Sequence, residues 1–376
     1  MFKLIYPSKD ATIYERQPYK NTGVDQILEL LKNTEGNRAT DQADSAYAWE
    51  NTYNSRILIK FDITDISRSI SRNEIHKNAQ FFLSLNATEA ISIPTNFTIY
   101  AYPLASDWEN GNGSYYNRPE TTNGVSWKYK TSKITGDSWT TSSYAGNTTG
   151  SWQTTAGGGT WYTGSMFTAS QSIDLNIPDI RMDVSNIVRK WLSGSIPNNG
   201  FIIKYKDSDE ASSKIFGSIK YFGRETHTIF IPRLETYWQG ETFNGTGSYT
   251  EVSADDYVLY IKNIKENYKE TEMTKLRLAA RPRFPVKTYA TSSAYKTEYR
   301  LPTSSYFSVI DVSSGDTIIP YSTFGTKVGC DSSGNYIHIN MNSFLPERFY
   351  KLIFKVKKSV WEEKYIDDGY YFKVTR

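Results

Sequence analysis

A chain of 376 residues is longer than one hydrophobic core usually serves, so two domains are expected. Its formal charge is +3, with 19 basic against 15 acidic residues from Ser248 onward and 24 against 25 before it. That balance is too near neutral for a nucleic-acid binder or a polybasic membrane anchor.

Hydrophobic residues make up 38%, but aromatics reach 15%, led by 29 Tyr. Such side chains favour strands and bury large areas while keeping a polar tip, which points to an all-β class. At the start, Met1 to Asp10 brings in charge before any apolar run, and no later run is long enough to span a bilayer, so neither a secretory leader nor a membrane span is expected. Residues 1 to 105 read as short strands at regular spacing, with a helical break around Asp62 to Ile70 and an apolar strand, Phe81–Leu85, suited to a sheet centre.

Residues 106 to 172 change character: Gly, Thr, Ser, Asn and Trp dominate and aliphatic residues almost vanish. This reads as a long loop region, in which Trp108, Trp127, Trp139, Trp152 and Trp161 form the candidate contact surface. Two readings of these rings stand side by side. Long ordered loops need self-packing, so the rings can build a small core of their own; left exposed, they can stack on sugars or dock a partner protein.

Strands resume at Ile173. One amphipathic helix then interrupts them: Asp183 is a good N-cap, Val184, Ile187, Val188 and Trp191 fall at i, i+3, i+4 and i+7, and Gly194 followed by Pro197 ends it. Those four side chains are expected to face inward. Asn199-Gly200 turns into the strand Phe201–Tyr205, and strands at 214 to 221 and 229 to 237 complete a first sandwich over residues 1 to 238. The stretch 239 to 248 holds three glycines and no apolar periodicity, and reads as a linker. From 249 to 376, seven or eight strand patterns make an immunoglobulin-like count, and the lone Cys330 is expected as a small buried residue.

Constellations for catalysis are missing. His76, His227 and His338 are far apart in sequence and match no metal spacing, and neither a Gly-x-Ser-x-Gly elbow nor a phosphate-cradling Gly-Lys-Ser/Thr loop is present. No enzyme and no cofactor are expected, although a carboxylate pair assembled by the fold is invisible to spacing. Asp207-Ser-Asp-Glu210 and Asp331-Ser-Ser-Gly-Asn335 offer oxygen ligands but lack the calcium-loop pattern, and read as solvated turns.

Several segments stand in a telling order: Asp10–Tyr14 with Asn21-Thr-Gly23 and Ile27–Leu30, Ser55–Asp62, Ile99–Pro103, Trp108-Glu109, Gly124–Trp127, Gly157–Gly159, and Asp183–Trp191 with Asn199–Phe201. Taken in that order they resemble DNRLRE-type domains, β-sandwich modules of secreted, cell-surface and phage proteins. The resemblance covers about residues 5 to 238 and implies a jelly-roll-like sandwich with one short helix. The whole chain also resembles virion structural proteins of tailed bacteriophages with contractile tails. That resemblance implies a non-catalytic collar, neck, tail or baseplate-associated component, made in the host cytoplasm without a leader and placed in the virion. Its implied partners are other virion proteins and copies of itself in a symmetric ring, with no nucleic acid and no membrane. The alternative is a carbohydrate-binding adhesion module whose tryptophan loops touch a surface glycan of the host.

Overall fold

The computed structural model describes residues 1–34, 52–139, 148–149, 157–244, 249–252, 256–286, 297–359 and 362–376. The chain is all-β, built from antiparallel sheets with a few short helices, as a sandwich architecture requires. It divides into two compact units: a larger one of Ile5–Ser67 with Gln80–Glu235, and a second of Met1–Leu4, Arg68–Ala79 and Thr236–Arg376.

In the larger unit, one broad sheet runs in the order Ala169–Asp174, Asn96–Pro103, Phe201–Tyr205, Thr52–Phe61, Ile27–Thr34, Gly217–Phe222 and Ala87–Ile91, and Pro7–Tyr14 also pairs with Thr52–Phe61. The central strand Phe201–Tyr205 is buried along its whole length. A strand hidden on both faces loses the apolar-polar alternation of a half-exposed one. Its two sides do different work. Phe201 packs on Trp191 at 4.6 Å between ring centroids, and Tyr205 lies against Phe97 and Phe216. Ile202, pointing the other way, lines up in register with Leu58 and Tyr102, and all three join a separate aromatic cluster.

The first of these faces is covered in part by the helix Ser185–Leu192, where Val184, Ile187, Val188 and Trp191 are all buried. The cap differs in detail from the sequence pattern. Asp183 ends the strand Ile180–Asp183, paired with Gln80–Leu85, and Val184 takes the cap position; the Asp183 carboxylate accepts the Ser185 N–H at 2.9 Å. Ser185 Oγ in turn accepts the Phe81 N–H, fixing the helix to the neighbouring strand. Gly200 lies at φ +91° with the Ile59 carbonyl where a Cβ would stand, so the Asn199-Gly200 turn requires glycine there.

The second unit has two sheets. One runs Tyr257–Ile261, Met273–Pro282, Gly334–Asn340, Gly329–Asp331; the other runs Asn267–Lys269, Glu363–Thr375, Arg348–Lys357, Ser305–Asp311, Thr317–Ile319. In Arg348–Lys357 the alternation is clean, with Tyr350, Leu352, Phe354 and Val356 buried. Phe2 enters this core against Phe307 and Phe344, and Cys330 is fully buried. The sequence places the junction at 239 to 248, whereas the compact division falls between Glu235 and Thr236. Thr242 to Asn244 run beside Cys330, whose N–H donates to the Thr242 carbonyl at 3.0 Å and whose carbonyl accepts the Asn244 N–H at 2.8 Å. Gly245 to Ser248 lie outside the described residues.

Trp191→Ala is expected to destabilise the chain by about 3–5 kcal/mol, the usual cost of emptying a packed aromatic site. Chemical denaturation checks it, and a loss below about 1 kcal/mol would contradict an inward-facing ring.

Candidate functional site

Four of the five tryptophans singled out by the sequence come together. Trp108, Trp127, Trp139 and Trp161 pack with Leu104 and Val125 onto Ala11, Ile13, Leu58, Tyr102 and Ile202 of the broad sheet, and none is more than 3% exposed. Trp152 lies outside the described residues. The long segment is therefore less a self-contained loop core than a third layer laid on the sheet. As a contact surface the four described rings are corrected to core residues, because none offers a face to solvent. Trp108 Nε1 donates to the Asn199 carbonyl and Trp139 Nε1 to the Ser126 carbonyl, each at 3.0 Å, while Trp161 Nε1 has no hydrogen-bond partner among the described residues.

Beneath the indoles lies a charge cluster that no local pattern announces. Arg56, on the same strand face as Leu58, points at Glu210 with two bonds, Nε to Oε1 at 3.1 Å and Nη2 to Oε2 at 2.6 Å. Lys204, on the face of Ile202, reaches Glu210 Oε2 at 2.9 Å and also bonds Asp207 and the Tyr205 carbonyl. The guanidinium lies 4.7 Å from the Trp127 ring and 5.1 Å from Trp161, and the Lys204 ammonium 5.0 Å from Trp161, so negative ring faces meet the cations on the side Glu210 does not cover. Lys32, also buried, donates to the carbonyls of Asp209, Glu210 and Ser212, at 2.5, 2.7 and 2.6 Å. The Asp207–Glu210 run is thus a one-turn helix whose oxygens are taken by lysine and arginine. Its last residue is buried, contrary to the expected solvated turn.

Glycine makes the close approach feasible. Gly157, Gly158 and Gly159 all sit at positive φ, and Cβ atoms there would strike the Trp127 carbonyl, Arg56 Nη1 and Ile202 Cδ1 in turn. With the side chains absent, the Gly158 carbonyl accepts from Arg56. Asn21 pins the other end of the layer. Its Nδ2 donates to the carbonyls of Asn110 and Val125, both at 2.8 Å, and its Oδ1 accepts the Gly113 N–H at 2.8 Å.

Two carboxyls respond to this burial in opposite directions. Desolvation works against the charge on Glu210, but Arg56 and Lys204 outweigh it and hold its carboxyl below the ordinary range. Asp10, accepting the Arg224 N–H at 2.5 Å and leaving Oδ1 without a partner, is pushed up to about 7 by burial. At the second unit's turn, the Asp331 carboxyl is held well below its usual value by hydrogen bonds from Arg277 and Lys275, so that oxygen pair is also engaged by cationic side chains. Among the described residues no group of three or more His, Cys, Asp or Glu is placed to hold a metal ion.

The accessible chemistry lies on a neighbouring part of the larger unit. Tyr14 and Tyr115 share two cavities: one of about 180 Å³ bounded also by Arg16, Gln17, Asn33 and Tyr53, and one of about 540 Å³ bounded also by Asp25, Gln26, Glu29, Tyr116 and Lys220. The sequence pattern singles out neither Tyr115 nor Tyr116. Their one local signal is the Tyr115-Tyr116 pair inside a Gly/Asn-rich stretch that cannot bury it.

No family model matches the chain, and no curated protein matches it. Among solved structures it is similar to a DUF4785 family protein from Legionella pneumophila at 8% identity and a TM-score of 0.19; the alignment takes in all of this chain, which spans 62% of that protein's length. A likeness at that level carries no argument.

Glu210→Gln leaves Arg56 buried without its counter-charge and Lys204 with Asp207 alone, and is expected to cost about 3–5 kcal/mol in denaturation experiments. A loss under about 1 kcal/mol would mean the cluster is not desolvated in solution. Because the Asp10 carboxyl is raised, its contribution to stability is complete below its ordinary value of 3.8 and falls away as pH climbs to about 7. Glu210 behaves in reverse: its contribution holds above 4.5 and is lost as pH falls through its depressed value. Asp10→Asn should accordingly flatten the decline in stability between about pH 4 and pH 7, and identical pH profiles for the variant and the parent would refute the assignment.

Proposed function

We propose that this chain is a non-catalytic structural component of a tailed bacteriophage virion, a collar, neck, tail or baseplate-associated protein that assembles through its sheet faces and loops. What carries the reading is where the conspicuous side chains are spent. Trp108, Trp127, Trp161, Arg56, Lys204 and Glu210 are buried in one network that clamps long loops onto a sheet. Loops held in this way present a fixed outer surface, and a fixed surface can dock a neighbouring subunit without first having to be ordered. The ordered run of segments resembling DNRLRE modules, and the likeness of the whole chain to virion proteins, supply the particle as the setting. A near-neutral charge suits burial against other proteins better than wrapping of nucleic acid. Among the described residues no helix is long and apolar enough to cross a membrane.

Purified particles provide the test. Mass spectrometry should find the chain in multiple copies per virion, and electron microscopy should place its two units in a symmetric ring at the collar, neck, tail or baseplate. Absence from purified particles would sink the proposal.

A further inference from the structure

The groove on either side of Tyr14 and Tyr115 is a built feature. Tyr14 ends the strand Pro7–Tyr14, and its ring lies 5.0 Å from that of Tyr115, which meets Tyr116 edge-on at 5.3 Å. Each ring is held from behind. The Tyr14 hydroxyl donates to Glu29 Oε2 at 3.0 Å, while Ser218 Oγ donates to Glu29 Oε1 at 2.5 Å. Lys20, itself 1% exposed, donates to the Tyr115 carbonyl at 3.0 Å with its ammonium 4.6 Å from that ring. Asp25 accepts both the Ser114 hydroxyl, at 2.5 Å, and the Tyr115 N–H. The backbone beside Tyr116 is thereby fixed while Tyr116 itself stays 84% exposed. Packing does not require an exposed, pre-positioned aromatic ring.

We propose that this groove is a carbohydrate-binding cleft that takes a short run of neutral, hydroxyl-rich pyranose units. A pyranose presents a C–H-rich face that stacks on an aromatic ring, as Tyr115 and Tyr116 offer, and a rim of hydroxyls that needs donors and acceptors together. The lining supplies both. Gln17, Gln26 and Asn33 carry amides, Asp25 and Glu29 carry acceptors, and Arg16 and Lys220 carry donors. The charges are mixed in sign, so no net field selects a polyanion. The aliphatic lining is limited to Leu31 in one cavity and Ile27 in the other, too little to anchor a peptide by apolar side chains. The larger cavity, about 540 Å³, falls within the usual range for small-molecule sites. Both carboxylates already accept two protein donors each, which fits them to hold the rings in place rather than to transfer protons to a glycosidic oxygen. The cleft does not rest on the virion reading and stands whether or not the chain belongs to a particle.

The test uses the full chain on an array of short neutral oligosaccharides of glucose, galactose, mannose and N-acetylglucosamine, followed by calorimetric titration of the strongest binder. Saturable binding is expected. Tyr116→Ala should weaken it by about tenfold or more, Tyr116→Phe should stay within about twofold because the ring face and not the hydroxyl makes the contact, and both variants should unfold at the temperature of the parent. Binding to none of these sugars, binding that Tyr116→Ala leaves unchanged, or selective capture of peptides in a parallel peptide array would each overturn the assignment.

Discussion

Glu210 sits where a carboxylate has no reason to be unless two cations are waiting for it. Residues 54 to 59 and Phe201–Tyr205 are covered on both faces, so the positions of Arg56 and Lys204 give those side chains no route to water. A single buried guanidinium or ammonium would be intolerable in such a place. The short helix after Tyr205 delivers one carboxylate to both, and the Gly158 carbonyl and two indole faces complete the enclosure. Apolar residues of similar volume could fill the same space at equal or greater stability. What they would lack is direction: only this charge pattern requires the 157 to 161 segment and the 207 to 210 turn to come to the same point on the sheet. The cluster accordingly fixes where the loops lie more than it deepens the energy well.

The third layer follows from that constraint. Because Arg56 must be roofed, Trp127 and Trp161 must lie flat over it, and because they lie flat the three glycines at 157 to 159 must surrender their side chains. Asn21 answers from the far end with backbone bonds into 110 to 125, so the loop region is fastened at two separated points. A region nearly devoid of aliphatic residues thereby acquires a core using aliphatic neighbours borrowed from the sheet, Ile13, Leu58 and Ile202. This offsets the entropy of ordering so much irregular chain. Burial imposes its own cost elsewhere, as at Asp10, whose carboxyl is pushed up to about 7 even though one of its oxygens accepts the Arg224 N–H.

The sequence was legible where local pattern decides structure. The 3.6-residue spacing of Val184, Ile187, Val188 and Trp191 gave the helix and its buried face, and aromatic richness gave the all-β class. It was silent where partners are distant. Arg56 meets Glu210 across 154 residues, and Asp207-Ser-Asp-Glu210 taken alone has the composition of a surface turn. The tryptophans from 108 to 161 carry no period, so pattern could not separate rings packed on a sheet from rings held out to a ligand. The junction shows the same limit. Glycines at 240, 245 and 247 give the sequence the pattern of a linker, yet Thr242 to Asn244 are drawn into bonding beside Cys330 and Phe2 is drawn into the second unit's core, neither of which local composition encodes.

The division of labour between the two large aromatic types follows from their chemistry. An indole carries the larger apolar surface with one donor, which suits a dry roof over cations, and Trp108 and Trp139 spend that donor on a backbone carbonyl. A phenol carries a hydroxyl that both donates and accepts, which suits a boundary between protein and water. In the larger unit the described indoles are buried, while Tyr115 and Tyr116 line the wet groove and Tyr14 turns its hydroxyl toward Glu29. Sequence reasoning that looks for recognition in the heaviest aromatic residues is therefore drawn to rings that are buried here. The charge cluster recruits tryptophan inward, while the phenol of Tyr116 stays at the boundary with water.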